Sequence, residues 1–322
     1  MSQSLTSALP KPLKLTQEAT PWVEAFRAGR APAFEADELG QWIHGADWLI
    51  EQGELTAAEI AVRALNAAQP GLEWAANLCG LFDRAPAASA DLPDLHDKVK
   101  RDVQVVRRPG AEAALVVFSG ARHRVGMPLP MMHRWLAATG ASLIYLRDFH
   151  GLCYLRGVAS LGEGLAAAKA GLSRIASDLG ARRIICFGGS GGGYAALRYA
   201  LELDADAISL GSPANLAPAF NAHMNHGGYA RELAAAVPGE ELDLRRLFEA
   251  APRRPRALVV YGERNWNERV HAEHMAGLDG CELYPVSGYG GHATAAELIR
   301  RDEFLPMLET FCAAPARGAV RA

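Results

Sequence analysis

The chain has 322 residues, half of them apolar, and a formal net charge of −3 at pH 7. That length can bury a sizeable core and suits one large domain with a smaller companion. The mild, interspersed charge leaves no electrostatic footprint for nucleic acid or an anionic membrane surface. Residues 1–20 are polar, with Pro10, Lys11, Pro12 and Lys14. They lack the apolar core of a signal peptide and are expected to form a flexible tail. No stretch is long and apolar enough to span a bilayer. The five cysteines, Cys79, Cys153, Cys186, Cys281 and Cys312, are scattered and without metal-ligand spacing. They suit a reducing cytoplasm, and no metal is expected.

From Pro21 to about Ala85 the chain is alanine-rich, with apolar residues at helical spacing. Trp22, Val23 and Phe26 share one face, as do Leu39, Trp42, Ile43, Ala46, Leu49 and Ile50. Ile60, Ala61, Ala64, Leu65 and Ala68 form a third set, and Trp74, Leu78, Leu81 and Phe82 a fourth. Breaks fall at Gly29–Pro32, Gln52-Gly53 and Gln69-Pro70-Gly71. Residues 21–85 therefore read as a small all-α region. Trp48 to Ala68 resembles a tetratricopeptide hairpin, which implies a possible protein partner. A helical cap on the following domain is the other reading.

Beyond the linker Arg84–Ser89 the texture alternates strand and helix. Strands are predicted at Val103–Arg107, Ala114–Phe118, Leu143–Leu146, Ile184–Phe187, Ala207–Leu210, Leu258–Tyr261 and Glu282–Val286. Helices are predicted at Met131–Ala138, Leu161–Leu179, Tyr194–Leu203 and Ala293–Phe311, with a flexible tail over 313–322. The fold class is thus α/β over residues 98–312, a mostly parallel sheet covered by helices on both faces. Such sheets place ligands outside the carboxyl ends of their strands.

The strand ending at Phe187 runs into Gly188-Gly189-Ser190-Gly191-Gly192-Gly193 and then into the helix at Tyr194. This is a G-x-S-x-G turn with one serine at its apex. The glycines tolerate the unusual backbone that would hold Ser190 exposed above the sheet. The Gly191 N–H at the helix start would face an oxyanion. Gly191-x-Gly193-x-x-Ala196 also fits a loose dinucleotide fingerprint. The next strand, however, ends in Gly211-Ser212-Pro213 with no acid, and the chain has no Gly-Lys-Ser/Thr. No cofactor is expected, and a purely structural turn is the remaining alternative. Gly288–Gly291 precede His292 after the last strand, where a glycine loop could bring an imidazole over Ser190 as general base.

From Val103 to Phe311, about two thirds of the chain, these features resemble the α/β-hydrolase superfamily. The resemblance implies a serine hydrolase, with nucleophile, acid and histidine in that chain order. It implies Ser190 as nucleophile, His292 as base and an acid after the penultimate strand. Family members would carry Asp near Asn265. Here Asn265 stands there, and Glu268, Glu263 or Asn265 itself could orient the histidine. Glu268 is the favoured acid. The second oxyanion donor is expected at Ala121, in the loop Ser119–His123. Arg122 and Asp148 are expected at the substrate rim, although Asp148 could instead pair with Arg147 or cap a helix. Phe118-Ser119-Gly120 and Tyr145–Asp148 also look like hydrolase-fold proteins tied to surface-polysaccharide modification. The expected substrate is a small-molecule or glycan-linked acyl compound. Acyl transfer to a hydroxyl, or a non-catalytic scaffold, are the alternatives.

Overall fold

A computed structural model of the chain describes residues 21–313 except 34–37, 89–91, 93, 97–99 and 225–226. The tails expected at 1–20 and 313–322 lie outside the described residues, except Ala313, which ends the last helix. The chain divides into two compact units, Met1–Ala85 and Pro86–Ala322.

The first unit contains helices α1 (Pro21–Arg27), α2 (Leu39–Gln52), α3 (Leu55–Ala68) and α4 (Glu73–Arg84). Gly53 ends α2 in the left-handed region (φ 81°), and its N–H bonds Leu49 O and Ile50 O. The turn lets Trp42, Ala46, Leu49 and Ile50 bury beside Ala58, Ala61, Val62 and Leu65. Phe26 meets Trp42 edge-on at 5.1 Å. Four helices fall short of the roughly three hairpin repeats a free-standing solenoid needs.

In the second unit, β1 (Val103–Val106), β2 (Ala113–Phe118), α5 (Leu129–Ala137) and β3 (Ser142–Leu146) come first. A two-stranded hairpin, β4 (Gly157–Val158) and β5 (Gly162–Glu163), then leads into α6 (Gly164–Asp178), β6 (Arg183–Gly189), α7 (Gly191–Leu203) and β7 (Asp206–Leu210). The chain continues through α8 (Gly227–Ala236), α9 (Leu244–Ala250), β8 (Ala257–Gly262), α10 (Trp266–His274) and β9 (Cys281–Val286). It closes with α11 (Thr294–Arg300) and α12 (Phe304–Ala313).

Seven strands form one sheet in the order β1-β3-β2-β6-β7-β8-β9. Only the edge strand β1 is antiparallel. Val116, Ile144, Cys186, Ala207 and Val259 share one face and bury with residues of α6, α7, α9 and α10. Leu115, Tyr145, Phe187, Ile208 and Val260 point the other way and are buried too. There His133 of α5 bonds the Tyr145 phenol at 2.7 Å, and Phe187 meets Phe304 of α12 at 6.3 Å. Burial on both faces explains why the strands read as continuous apolar runs. The architecture is the α/β-hydrolase type that the sequence resemblance implied. From β2 the chain winds one way to β3, then crosses to β6 on the other side. The order reverses between β2 and β6, and the crevice outside their carboxyl ends is the natural ligand site.

Two helix predictions need correction. The helix expected from Leu161 begins at Gly164, because Gly157 to Glu163 form the small hairpin. The helix expected over Ala293–Phe311 is two helices, broken where Asp302 turns left-handed (φ 59°). The break closes with Asp302 N–H bonding Ile299 O and Glu303 N–H bonding Leu298 O.

Candidate active site

At the end of β6, Ser190 has φ 54° and ψ −130°, a conformation that L side chains rarely hold without surrounding support. Its N–H bonds Leu210 O at 2.9 Å, and its own carbonyl accepts from Gly193 and Tyr194 N–H. Glycine is required around it. A Cβ on Gly192 would fall 2.1 Å from Phe118 O, and one on Gly188 2.2 Å from Gly192 O. Gly191 opens α7, so its N–H has no carbonyl within the helix to bond.

The loop after β2 packs against this turn. A Cβ on Gly120 would fall 2.7 Å from Gly189 O and 3.3 Å from the Ser190 Cβ. Ala121 leads a single 3₁₀ turn that leaves its N–H without an internal partner. Arg122 (φ 57°) and His123 (φ 56°) follow in the left-handed region. Arg122 is exposed, and the His123 ring meets the exposed Phe149 edge-on at 5.2 Å. The structure thus sets Gly120 against the serine turn, with Ala121 and Arg122 following it in the loop.

The three acid candidates differ in what they touch. Glu268 Oε1 lies 2.7 Å from His292 Nδ1, and the Glu268 side chain is only 5% exposed. Gly262 N–H donates to Glu268 Oε2 at 2.8 Å, and Asn265 Nδ2 donates to Oε1 at 3.1 Å. Asn265 caps α10 by accepting the Glu268 N–H, and its amide also bonds Gly291 O, beside His292. Glu263 accepts the Gly288 N–H at 2.6 Å, at the start of the histidine loop. Asn265 and Glu263 therefore brace the loop, while Glu268 alone of the three touches the imidazole. The carboxylate hydrogen bond raises the His292 pKa above its ordinary value, against desolvation, which lowers it. A carboxylate at Nδ1 favours the neutral tautomer with the proton on Nδ1 and the lone pair on Nε2.

The elbow and this pair meet through β7. Leu210 O holds the Ser190 N–H, and a Cβ on the next residue, Gly211, would stand 2.9 Å from Glu268 Oε1. Ser190 and His292 are not themselves hydrogen-bonded, and the serine hydroxyl has no hydrogen bond among the described residues. In unliganded sites such bonds commonly tighten only once substrate is present.

Asp148 bonds the amides of its own loop, not Arg147. Its Oδ1 accepts the His150 and Gly151 N–H groups at 3.0 Å each, and Oδ2 accepts the Tyr154 N–H at 2.9 Å. Both oxygens serve the loop, and Arg147 donates instead to Arg101 O. Sequence reasoning missed Cys153, Tyr154 and Tyr229 near the elbow. Only their chemistry, not their spacing, could have marked them. His271 and His274 pack as expected, stacked on Phe220, with His271 Nδ1 accepting the Ala214 N–H. Among the described residues no cluster of His, Cys, Asp and Glu is arranged to hold a metal ion, and no helix is long and apolar enough to cross a membrane.

No protein-family model and no curated protein matches the chain by sequence. Solved structures do resemble it. Esterase B from Lactobacillus rhamnosis, inhibited by a tributyrin phosphonate, is 14% identical over 79% of this chain and 95% of its own, with a TM-score of 0.49. Carboxyl esterase 2 from the fungus Tuber melanosporum is 13% identical over 71% and 88%, with a TM-score of 0.48. A thermophilic esterase from Thermogutta terrifontis is 19% identical over 71% and 95%, with a TM-score of 0.46. Each lies below 0.5, so the functional reading rests on the geometry of the site.

Proposed function

We propose that the protein is a serine ester hydrolase in which Ser190 is the nucleophile, His292 the general base and Glu268 the acid that orients it. The observation that carries this reading is the 2.7 Å Glu268–His292 bond, held beside Gly211, the residue after the Leu210 carbonyl that bonds the N–H of Ser190 in its strained elbow conformation.

In the first half-reaction Ser190 Oγ attacks the acyl carbonyl while its proton passes to His292 Nε2. The oxyanion is held by the Gly191 and Ala121 N–H groups, each such donor contributing roughly 10²- to 10³-fold. His292 returns the proton to the departing alkoxide, and the acyl group stays on Ser190. Water, deprotonated by His292, then releases the acid and restores the serine. His292 is 62% exposed. Solvent reaches the base directly, so water is available as acyl acceptor. Arg122 at the rim suits an acidic or polyhydroxylated alcohol part.

A fluorophosphonate probe and a panel of p-nitrophenyl esters test this reading. The wild-type protein is expected to take up one phosphonate on Ser190, mapped by mass spectrometry, and to release p-nitrophenol. An added polyol should leave the acid as the main product. Dominant transfer to the polyol would convert the reading to acyltransferase. No labelling and no turnover would leave a hydrolase-like scaffold.

A further inference from the structure

The loop between β3 and β4 is heavily bonded, and the steps above use none of it. Besides the three amides held by Asp148, the buried Tyr154 phenol lies 2.8 Å from Leu146 O and 3.0 Å from Ser119 O. Tyr199 Oη donates to Tyr154 O at 3.0 Å. These bonds hold two consecutive residues other than glycine, Cys153 (φ 51°) and Tyr154 (φ 61°), in the left-handed region. Backbone strain of this kind persists only where the surroundings over-determine it.

The strained pair delivers Cys153 to the elbow. A Cβ on Gly191 would fall 3.2 Å from Cys153 Sγ. The thiol is buried, which pushes its pKa up to about 12, so it presents a neutral wall rather than a nucleophile. Across it lies Tyr229 of α8, in the long connection between β7 and β8. Tyr229 Oη donates to Gly151 O at 2.9 Å and lies 3.2 Å from Cys153 Sγ. The single phenol proton is committed to Gly151 O, so the thiol donates to Oη. The tyrosine thereby ties the α8 segment to the loop beside the oxyanion donor.

We propose that Cys153 and Tyr229 form the wall that limits the acyl group Ser190 can accept, with Tyr229 as the specificity-determining residue and short acyl chains as the preferred substrates. This rests on the serine hydrolase reading. An acyl carbonyl aimed at the Gly191 N–H keeps its substituent beside Gly191, where the sulfur stands 3.2 Å from the place a Cβ would take. The wall cannot retreat, because Asp148 and Tyr154 fix the loop from behind and Tyr229 fixes it from above.

The test compares kcat/KM for p-nitrophenyl acetate, butyrate, hexanoate and octanoate in the wild type, Tyr229→Phe, Tyr229→Ala and Cys153→Ala. The readout is the octanoate-to-acetate ratio within each protein, so a general loss of activity divides out. The wild type should favour acetate. Tyr229→Ala should raise the ratio at least about tenfold, since even one methylene in an apolar pocket is worth roughly 10- to 200-fold. Cys153→Ala should raise it less, because it removes one atom. Tyr229→Phe keeps the ring but loses the tie, and should move the ratio in the same direction by a smaller factor. An unchanged ratio in folded Tyr229→Ala and Cys153→Ala overturns the wall while leaving the hydrolase reading standing. A wild type that turns over no ester overturns both, and that result is visible before any variant is made.

Discussion

Replacing Ser190 with alanine is expected to lower kcat by roughly 10⁶, the scale seen when a serine protease loses its nucleophile. The residual rate, about 10³ to 10⁴ over water, would come from the oxyanion donors and substrate binding alone. The fold should survive the change. Ser190 is held by its backbone, through its N–H to Leu210 O and its carbonyl to Gly193 and Tyr194 N–H, and alanine keeps all three bonds. The lost hydroxyl makes no hydrogen bond among the described residues, so no buried partner is orphaned. Phosphonate uptake measured by intact mass, alongside the melting curve, checks both halves. A Ser190→Ala protein that still labels at the wild-type rate would move the nucleophile elsewhere.

The second large effect is expected for Glu268→Gln, with kcat falling between roughly 10² and 10⁴ as the imidazole loses the anion that holds its tautomer. The pH profile should change as well, and its direction can be worked out. His292 acts as a base only when neutral. In the wild type the carboxylate raises its pKa above the ordinary 6.5, so activity is lost as pH falls through that raised value. The glutamine variant loses the cause of the rise, and its acid limb should lie at lower pH. The same shift has a stability side. A pKa raised in the folded state adds stability that is fully present below the unfolded pKa and is lost as pH rises through the folded one. At an imidazole that is 62% exposed this contribution is small. kcat/KM against pH for both proteins decides the matter. Coincident limbs with near-normal kcat would remove Glu268 from the mechanism, and Asn265→Ala would then be the variant to examine.

Much of the larger unit was legible in the chain itself. Seven runs became the seven strands of the sheet, most clearly in its inner strands, where burial on both faces leaves few polar positions to blur the pattern. Glycine marked the serine turn, since Gly188 and Gly192 leave no room for a Cβ. What glycine could not mark was the acid. Glu263, Asn265 and Glu268 lie within six positions and all serve the histidine loop, and only three dimensions show which one reaches Nδ1. The break between α11 and α12 had one signal, Pro306 in the first turn of α12, although the left-handed residue itself is Asp302 and not a glycine. Asp148 misled for the opposite reason. A carboxylate after a strand suggests a ligand, yet its partners are amides two to six residues along its own chain. The pairing of Cys153 with Tyr229 spans 76 residues, a separation at which no local pattern exists.

The placement of Glu268 on α10 carries a consequence for heat. That helix has nine residues and buries three of them, of which only Ala272 is apolar. A helix so short does not persist in water on its own, so it stands on the Asn265 cap and the contacts of Glu268 and His271. Warming can therefore fray α10 and release the imidazole while the seven-stranded sheet is still intact. Catalysis would then fade some degrees before the protein melts and return on cooling, and any thermostabilising effort directed at the core would leave that earlier failure in place.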